Sequence, residues 1–159
     1  MSTTHAVVPS PIGPLTAVRD DGALVALWMG SPPAADTLGS RDDEGFADVR
    51  DQLAEYFAGS RTTFELPLRA EGSPLQQAVW RLISAIPYGA TRTYGDLARE
   101  LGDPTLAQAV GAACGRNPLP VVVPCHRIVG ADGSLVGFGG GLERKRFLLD
   151  LEHRAEWLF

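Results

Sequence analysis

The chain's 159 residues are 45% apolar and 21% charged, a balance that excludes a disordered polymer and fills one good core or two small ones. No apolar run approaches the roughly 20 residues of a membrane helix, and residues 1–11 lack the basic and apolar parts of a secretory signal, so a cytoplasmic protein without a membrane partner is expected. The net charge of −5 argues weakly against nucleic acid, but residues 1–73 hold five arginines against eleven acids while residues 74–159 hold nine basic residues against eight acids. That asymmetry reads as an acidic N-terminal module that avoids polyanions and a C-terminal one able to meet them.

In chain order, residues 11–20 and 23–30 are strand-length apolar stretches joined by Asp20-Asp21-Gly22, a hairpin signal. Residues 31–40, with Pro32-Pro33, form a loop. From Asp42 to Phe57 the apolar positions Phe46, Val49, Leu53 and Tyr56 recur at three- and four-residue steps, predicting an amphipathic helix that ends at Gly59. Residues 62–69 predict a further strand, confined to an edge by Pro67. A boundary near Glu71–Pro74 gives an acidic α/β domain over 1–72 and a second domain over 73–159. There Ser73 and Pro74 open a helix whose apolar stripe is Leu75, Val79, Leu82 and Ile86.

A helix–turn–helix pattern follows. Thr93 caps residues 94–102, Gly102-Asp103-Pro104 turns the chain, and residues 105–117 form a second helix rich in small side chains: Ala107, Ala109, Gly111, Ala112 and Ala113. Such a helix is either tightly packed inside the domain or a recognition helix lying on DNA, and the pattern leaves both open. Beyond it, Pro118, Pro120 and Pro124 stiffen an apolar approach to Cys125-His126-Arg127. A glycine-rich loop and a closing helix over 142–152 complete the chain, with Leu142, Phe147, Leu148 and Leu151 on one side.

Ten residues separate Cys114 from Cys125, which excludes a CxxC redox or zinc pair. The three histidines, His5, His126 and His153, are scattered, so neither a metal nor another cofactor is expected. Cys114, on its alanine-rich helix, reads as a small hydrophobe. Cys125 has His126 and Arg127 beside it and Asn117 upstream. A nearby imidazole that accepts the thiol proton favours the nucleophilic thiolate, yet the residues alone leave nucleophile and packed core residue equally open.

The block Val123-Pro124-Cys125-His126-Arg127-Ile128-Val129, preceded by residues 115–122 and followed by residues 137–152, resembles the signature of the O6-alkylguanine-DNA alkyltransferases. The similarity is close over residues 72–152 and looser over the N-terminal strands and helix. The resemblance implies that Cys125 accepts an alkyl group from O6-alkylguanine in DNA, with O4-alkylthymine as an alternative donor, irreversibly and once. It implies that His126 takes the thiol proton, that Glu152 orients His126, and that Asn117 braces the turn. Tyr94 then donates a proton toward the departing guanine, and Lys145, the only lysine in the chain, assists. Ile128, Phe138 and Gly139 match the pocket for the unstacked base. Family members often carry Tyr and Ser at the last two positions; Phe138 keeps the wall without the hydroxyl, and Gly139 keeps the backbone N–H. DNA-contacting positions fall at Tyr94, Gly95, Ala107, Gln108, Gly111, Arg116 and Ala131.

One position departs from the pattern. Gln108 stands where the family has an arginine that fills the space left by the flipped nucleotide, and glutamine is shorter, neutral and unable to make cation–π contacts. This keeps in view a relative that binds alkylated guanine without reacting, although such relatives replace the cysteine that this chain retains. A cysteine hydrolase would need its base on a separate element and an oxyanion hole. A transcriptional regulator would need basic residues between Thr105 and Gly115, where there are none. The expectation is a monomeric α+β protein, a small N-terminal sheet-plus-helix domain followed by a mostly helical domain with a helix–turn–helix, acting on DNA without a cofactor.

Overall fold

A computed structural model describes residues 3–30, 32–135, 137–138 and 140–157, divided between Glu71 and Gly72 into two compact units. The first is organised by a tight turn. Asp21 and Gly22 both take positive φ, 50° and 87°, the mirror-image turn whose twist suits two antiparallel strands. The strands it joins are β2 (Leu15–Asp20) and β3 (Ala23–Met29). Two further strands were not evident in the sequence: β1 (Thr3–Val8), antiparallel to β2, and the short β4 (Ser40–Arg41), parallel to β1. The order is β3-β2-β1-β4. The alternation in β1 is too brief to stand out, with Ala6 and Val8 buried and Val7 exposed.

Helix α1 (Ala47–Phe57) follows a 3-10 turn over Glu44–Phe46 and buries Val49, Leu53 and Tyr56. Arg19 of β2 fastens it, pairing with Asp48 at 2.6 Å and lying 5.1 Å from the centre of the Phe46 ring. The strand expected over 62–69 does not form. Only a bridge survives, with Leu24 N–H donating to Pro67 O and Arg69 N–H donating to Leu24 O. Pro67 has no N–H with which to extend the ladder.

In the second unit, Ser73 caps α2 (Pro74–Ser84) through a reciprocal pair of hydrogen bonds with Gln76. Val79 and Ile86 of the expected stripe are buried, but Leu75 and Leu82 are only half-buried, and Trp80 and Ile83 turn inward in their place. The Trp80 indole turns inward because its N–H donates to Ala113 O at 2.8 Å, satisfying its one polar atom. Then come β5 (Arg92–Thr93), α3 (Tyr94–Glu100), a 3-10 turn over Pro104–Leu106, and α4 (Ala107–Gly115). A 3-10 turn over Cys125–Arg127 leads into β6 (Ile128–Val129), which pairs with β5 in parallel.

The last helix, α5 (Leu142–Trp157), departs most from its expected pattern. Leu142 is 49% exposed, whereas Lys145 and Glu152 are buried beside Leu148, Leu149 and Leu151. Leu148 and Leu151 of the expected stripe are buried, Leu142 is not, and the inward face also carries two charged side chains. Among the described residues no helix is long and apolar enough to cross a membrane.

Thr93 joins β5 to α3. Its hydroxyl accepts from Asp96 N–H, and the Asp96 carboxylate accepts from Thr93 N–H. Thr93→Ala is expected to lower stability by about 1 kcal/mol, read as a lower urea midpoint at unchanged m-value.

Candidate active site

Asn117 lies just beyond the C-terminus of α4 and holds the turn that follows. Its amide donates to Val123 O at 2.8 Å, and its carbonyl accepts from Leu119 N–H at 2.9 Å. Between these anchors Val121 takes φ 74°, a conformation that a β-branched residue adopts only under constraint, at about 1–3 kcal/mol. The closed loop delivers Cys125 to the first position of the 3-10 turn, where it is 6% exposed. Burial pushes its thiol up, against the opposing pull of the Asn117 amide and the Lys145 charge. Thiolate character was expected from the neighbouring imidazole; desolvation outweighs that influence, and the resting group is the thiol.

His126 and Arg127 turn inward onto one carboxylate. His126 Nε2 lies 2.7 Å from Glu152 Oε2. Arg127 donates from Nε to Oε1 at 2.8 Å and from a terminal nitrogen to Oε2 at 2.9 Å. Burial alone would raise the Glu152 pKa, but the hydrogen bonds from His126 and Arg127 prevail and hold it at about 2. Burial lowers His126, Glu152 raises it, and the positive charges of Arg127 and Lys145 lower it further. The net direction is down, so the imidazole is neutral. With Nε2 carrying the hydrogen toward the carboxylate, Nδ1 is the basic nitrogen, and among the described residues it has no protein partner.

Tyr94 reaches the same locality because β5 ends one residue before it and pairs with β6, three residues after Cys125. A side chain added at Gly111 would sit 3.8 Å from its ring, and one at Gly137 would sit 3.3 Å from its hydroxyl. Desolvation, then the two cysteines, push the phenol up to about 12. It therefore keeps its proton at neutral pH. Lys145 directs its ammonium to Gly137 O at 3.4 Å; burial lowers its pKa, and Cys125 and Cys114 raise it. Cys114 is half-buried, and burial pushes its thiol up to about 12. Cys125 raises it a little further and Lys145 lowers it, and the dominance of burial fits the reading of a small packed side chain.

Known proteins match the chain over nearly its whole length. The family description "6-O-methylguanine DNA methyltransferase, DNA binding domain" matches residues 74–154, and the ribonuclease-like domain of the same protein matches residues 4–70. A methylated-DNA–protein-cysteine methyltransferase of Mycolicibacterium paratuberculosis is 46% identical over 152 residues, covering 94% of this chain and 92% of its own. The O6-methylguanine methyltransferase of Mycobacterium tuberculosis superposes with a TM-score of 0.89 at 44% identity, covering 96% of this chain and 93% of its own. A structure of the M. tuberculosis protein in complex with DNA gives 0.90 at 44% identity, covering 95% and 93%. The chain belongs to the 6-O-methylguanine DNA methyltransferase family.

For a methyltransferase of this family the remaining positions fall as follows. Ile128 is fully buried in β6. Phe138 is half-buried, its carbonyl accepting from Gly141 N–H. Gly139 lies outside the described residues. On α4, Gln108 is exposed, Ala107 and Gly111 are half-buried, and Arg116 is exposed where the helix ends. Gly95 is half-buried in the first turn of α3, and Ala131 is exposed in the turn closed by Gly130 N–H and Ser134 O. Arg127, with its grip on Glu152, was not singled out from sequence. The available signal was an arginine inside an otherwise apolar run, since a buried guanidinium requires a partner.

Two groups make the unit acid-sensitive in the same direction. His126 has a folded pKa below its ordinary 6.5, so its contribution fades as pH falls below that value. Glu152 contributes fully above its ordinary 4.5 and loses that contribution as pH falls toward about 2. Glu152→Gln is expected to flatten the lower limb of melting temperature against pH. It should also cost about 3–5 kcal/mol near neutrality, because Arg127 is left buried and unpaired.

Proposed function

We infer that this chain repairs DNA by moving an alkyl group from O6 of guanine to Sγ of Cys125, once per molecule. The observation that carries the reading is the Glu152–His126 hydrogen bond at 2.7 Å, completed one residue from a buried cysteine on a braced turn. This is the nucleophile–base–acid arrangement of an activated thiol.

DNA is the partner in this reading, and alkylated guanine its target. The helix–turn–helix offers α4 to the duplex, with Gln108, Ala112 and Gly115 on its exposed side. These are small or neutral side chains that permit close approach. Gly95, Ala107, Gly111, Arg116 and Ala131 supply further contact positions. The target base leaves the stack, since its alkyl carbon is otherwise out of reach, and enters a pocket beside Ile128, Phe138 and Gly139. His126 Nδ1 then takes the Cys125 proton, relayed by a water because adjacent side chains diverge. Sγ attacks the alkyl carbon, the S–C bond forms, and the C–O6 bond breaks. The guanine leaves with the electron pair and is neutralised by a proton from Tyr94. Lys145, held near both cysteines, offsets negative charge as it develops. The product is an S-alkylcysteine with no route back, and the protein acts as a monomer in the cytoplasm without a cofactor.

Incubation with DNA containing O6-methylguanine should add one methyl group per chain and then stop, with the mass on the peptide that holds Cys125. Cys125→Ser should abolish transfer and keep DNA binding, because a hydroxyl is a poor nucleophile at its ordinary pKa. Multiple turnovers, or the label on Cys114, would defeat the reading.

Gln108 shapes a second expectation. Extruding a base costs a few kcal/mol of stacking and pairing, and a glutamine offsets less of that cost than a longer, charged arginine. Lesions in single-stranded DNA or opposite a mismatch should react faster, relative to paired ones, than in an arginine-bearing variant. Gln108→Arg should speed duplex repair selectively, steepen the salt dependence of binding by about one counterion, and leave the rate on free O6-benzylguanine unchanged. An equal effect on free base and duplex would assign residue 108 to the pocket instead.

A further inference from the structure

The Glu152 carboxylate is shared unequally. His126 meets one oxygen, whereas Arg127 meets both, and the oxygen it has in common with His126 lies 2.7 Å from the imidazole and 2.9 Å from the guanidinium. The remaining terminal nitrogen of Arg127 donates to Ile86 O at 2.7 Å, just beyond α2. The Tyr88 ring covers the guanidinium at 5.7 Å from its centre. Arg127 is thus clamped on three sides in a buried position, and its planar fork matches both carboxylate oxygens in a way that a point charge cannot.

We propose that Arg127 is a positioning residue for alkyl transfer, holding the Glu152 carboxylate so that it orients His126 without protonating it. This rests on the reading of Cys125 as acceptor and His126 as its base. A buried carboxylate alone beside an imidazole draws a proton onto the ring. The pair then settles as imidazolium and carboxylate, and Nδ1 loses the lone pair that the thiol proton needs. Arg127 supplies the compensating positive charge from the other side, so the carboxylate keeps a hydrogen bond to Nε2 without a second proton on the ring. The other charged group acting on His126 is Lys145, on α5, whose charge acts in the same sense as Arg127; Cys125 is its neighbour in the chain. Tyr88 feels the Glu152 charge together with those of Arg127 and Arg154.

A side chain that served only to fasten α5 to the active-site turn would, when replaced, slow transfer equally at every pH as the fold loosened. The proposed role gives a different signature. The single-turnover rate with O6-benzylguanine is followed against pH, with the benzyl mass located on the Cys125 peptide. In Arg127→Met the acid-side midpoint should move up by about one pH unit or more, with about a tenfold slower rate below it for each unit moved. In the double variant Arg127→Met with Glu152→Gln both buried charges are gone, and the midpoint should return to the wild-type value or below. If Arg127→Met does not fold, Arg127→Lys gives the reading: its single charge cannot grip both oxygens, so the midpoint should move the same way by less. An unmoved midpoint with a uniform loss of rate, in whichever of the two variants folds, would overturn the proposal. So would a double variant that kept the upward shift. Wild-type protein that placed no benzyl group on the Cys125 peptide would instead sink the underlying reading.

Discussion

The Glu152 carboxylate sets the terms for everything around it. An ionised group with no access to water must be fully hydrogen-bonded and charge-compensated, or it will not stay ionised. Here two side chains from one 3-10 turn meet both of its oxygens. That requirement fixes which face of α5 turns inward, which is why Glu152 and Lys145 are buried while Leu142 is left in water. It also fixes the turn, since His126 and Arg127 reach one carboxylate only if the chain bends sharply at Cys125. The bend is enforced from upstream by Asn117, at the expense of a strained Val121. A helix end, a strained loop and the closing helix are therefore held in register by one negative charge.

The sequence was most legible where local chemistry decides local structure. The Asp21-Gly22 turn, the Ser73 and Thr93 caps and the Asp103-Pro104 break each carry their own physical reason within four or five residues, and each formed where it was read. Legibility failed where distant contacts decide. Trp80 turned the buried face of α2 because a carbonyl at Ala113 was waiting for its indole N–H, a fact that no periodicity contains. The residues 62–69 alternate well enough for a strand, but Pro67 left only a bridge to Leu24. In α5 the apolar residues gave Leu148 and Leu151 of the inward face but not the buried charges of Lys145 and Glu152 that share it.

The site was legible in a different way. Cys125, His126 and Asn117 stood out as a local cluster, but the residues alone could not separate a nucleophile from a packed cysteine; the assignment as nucleophile rests on the resemblance and on the proposed reading. Glu152 lies 26 residues from His126, and only the resemblance joined them. Arg127 needed the structure, because its role depends on a carboxylate that approaches from another element. Cys114 keeps its reading as a small, half-buried side chain on an alanine-rich helix.

The burial of Cys125 bears on how long a molecule remains useful before it meets its target. A protein that reacts once has no second chance, so any stray electrophile or oxidant that consumes the sulfur removes that molecule from service. A low-pKa, exposed cysteine would be vulnerable all the time. This one is nearly sealed from solvent, and burial pushes its thiol up, so in the proposed reaction its nucleophilic form arises chiefly when a base accepts the proton. In the proposed single-use reaction, the packing that makes the thiol hard to ionise is also what shields it from small electrophiles until a target arrives.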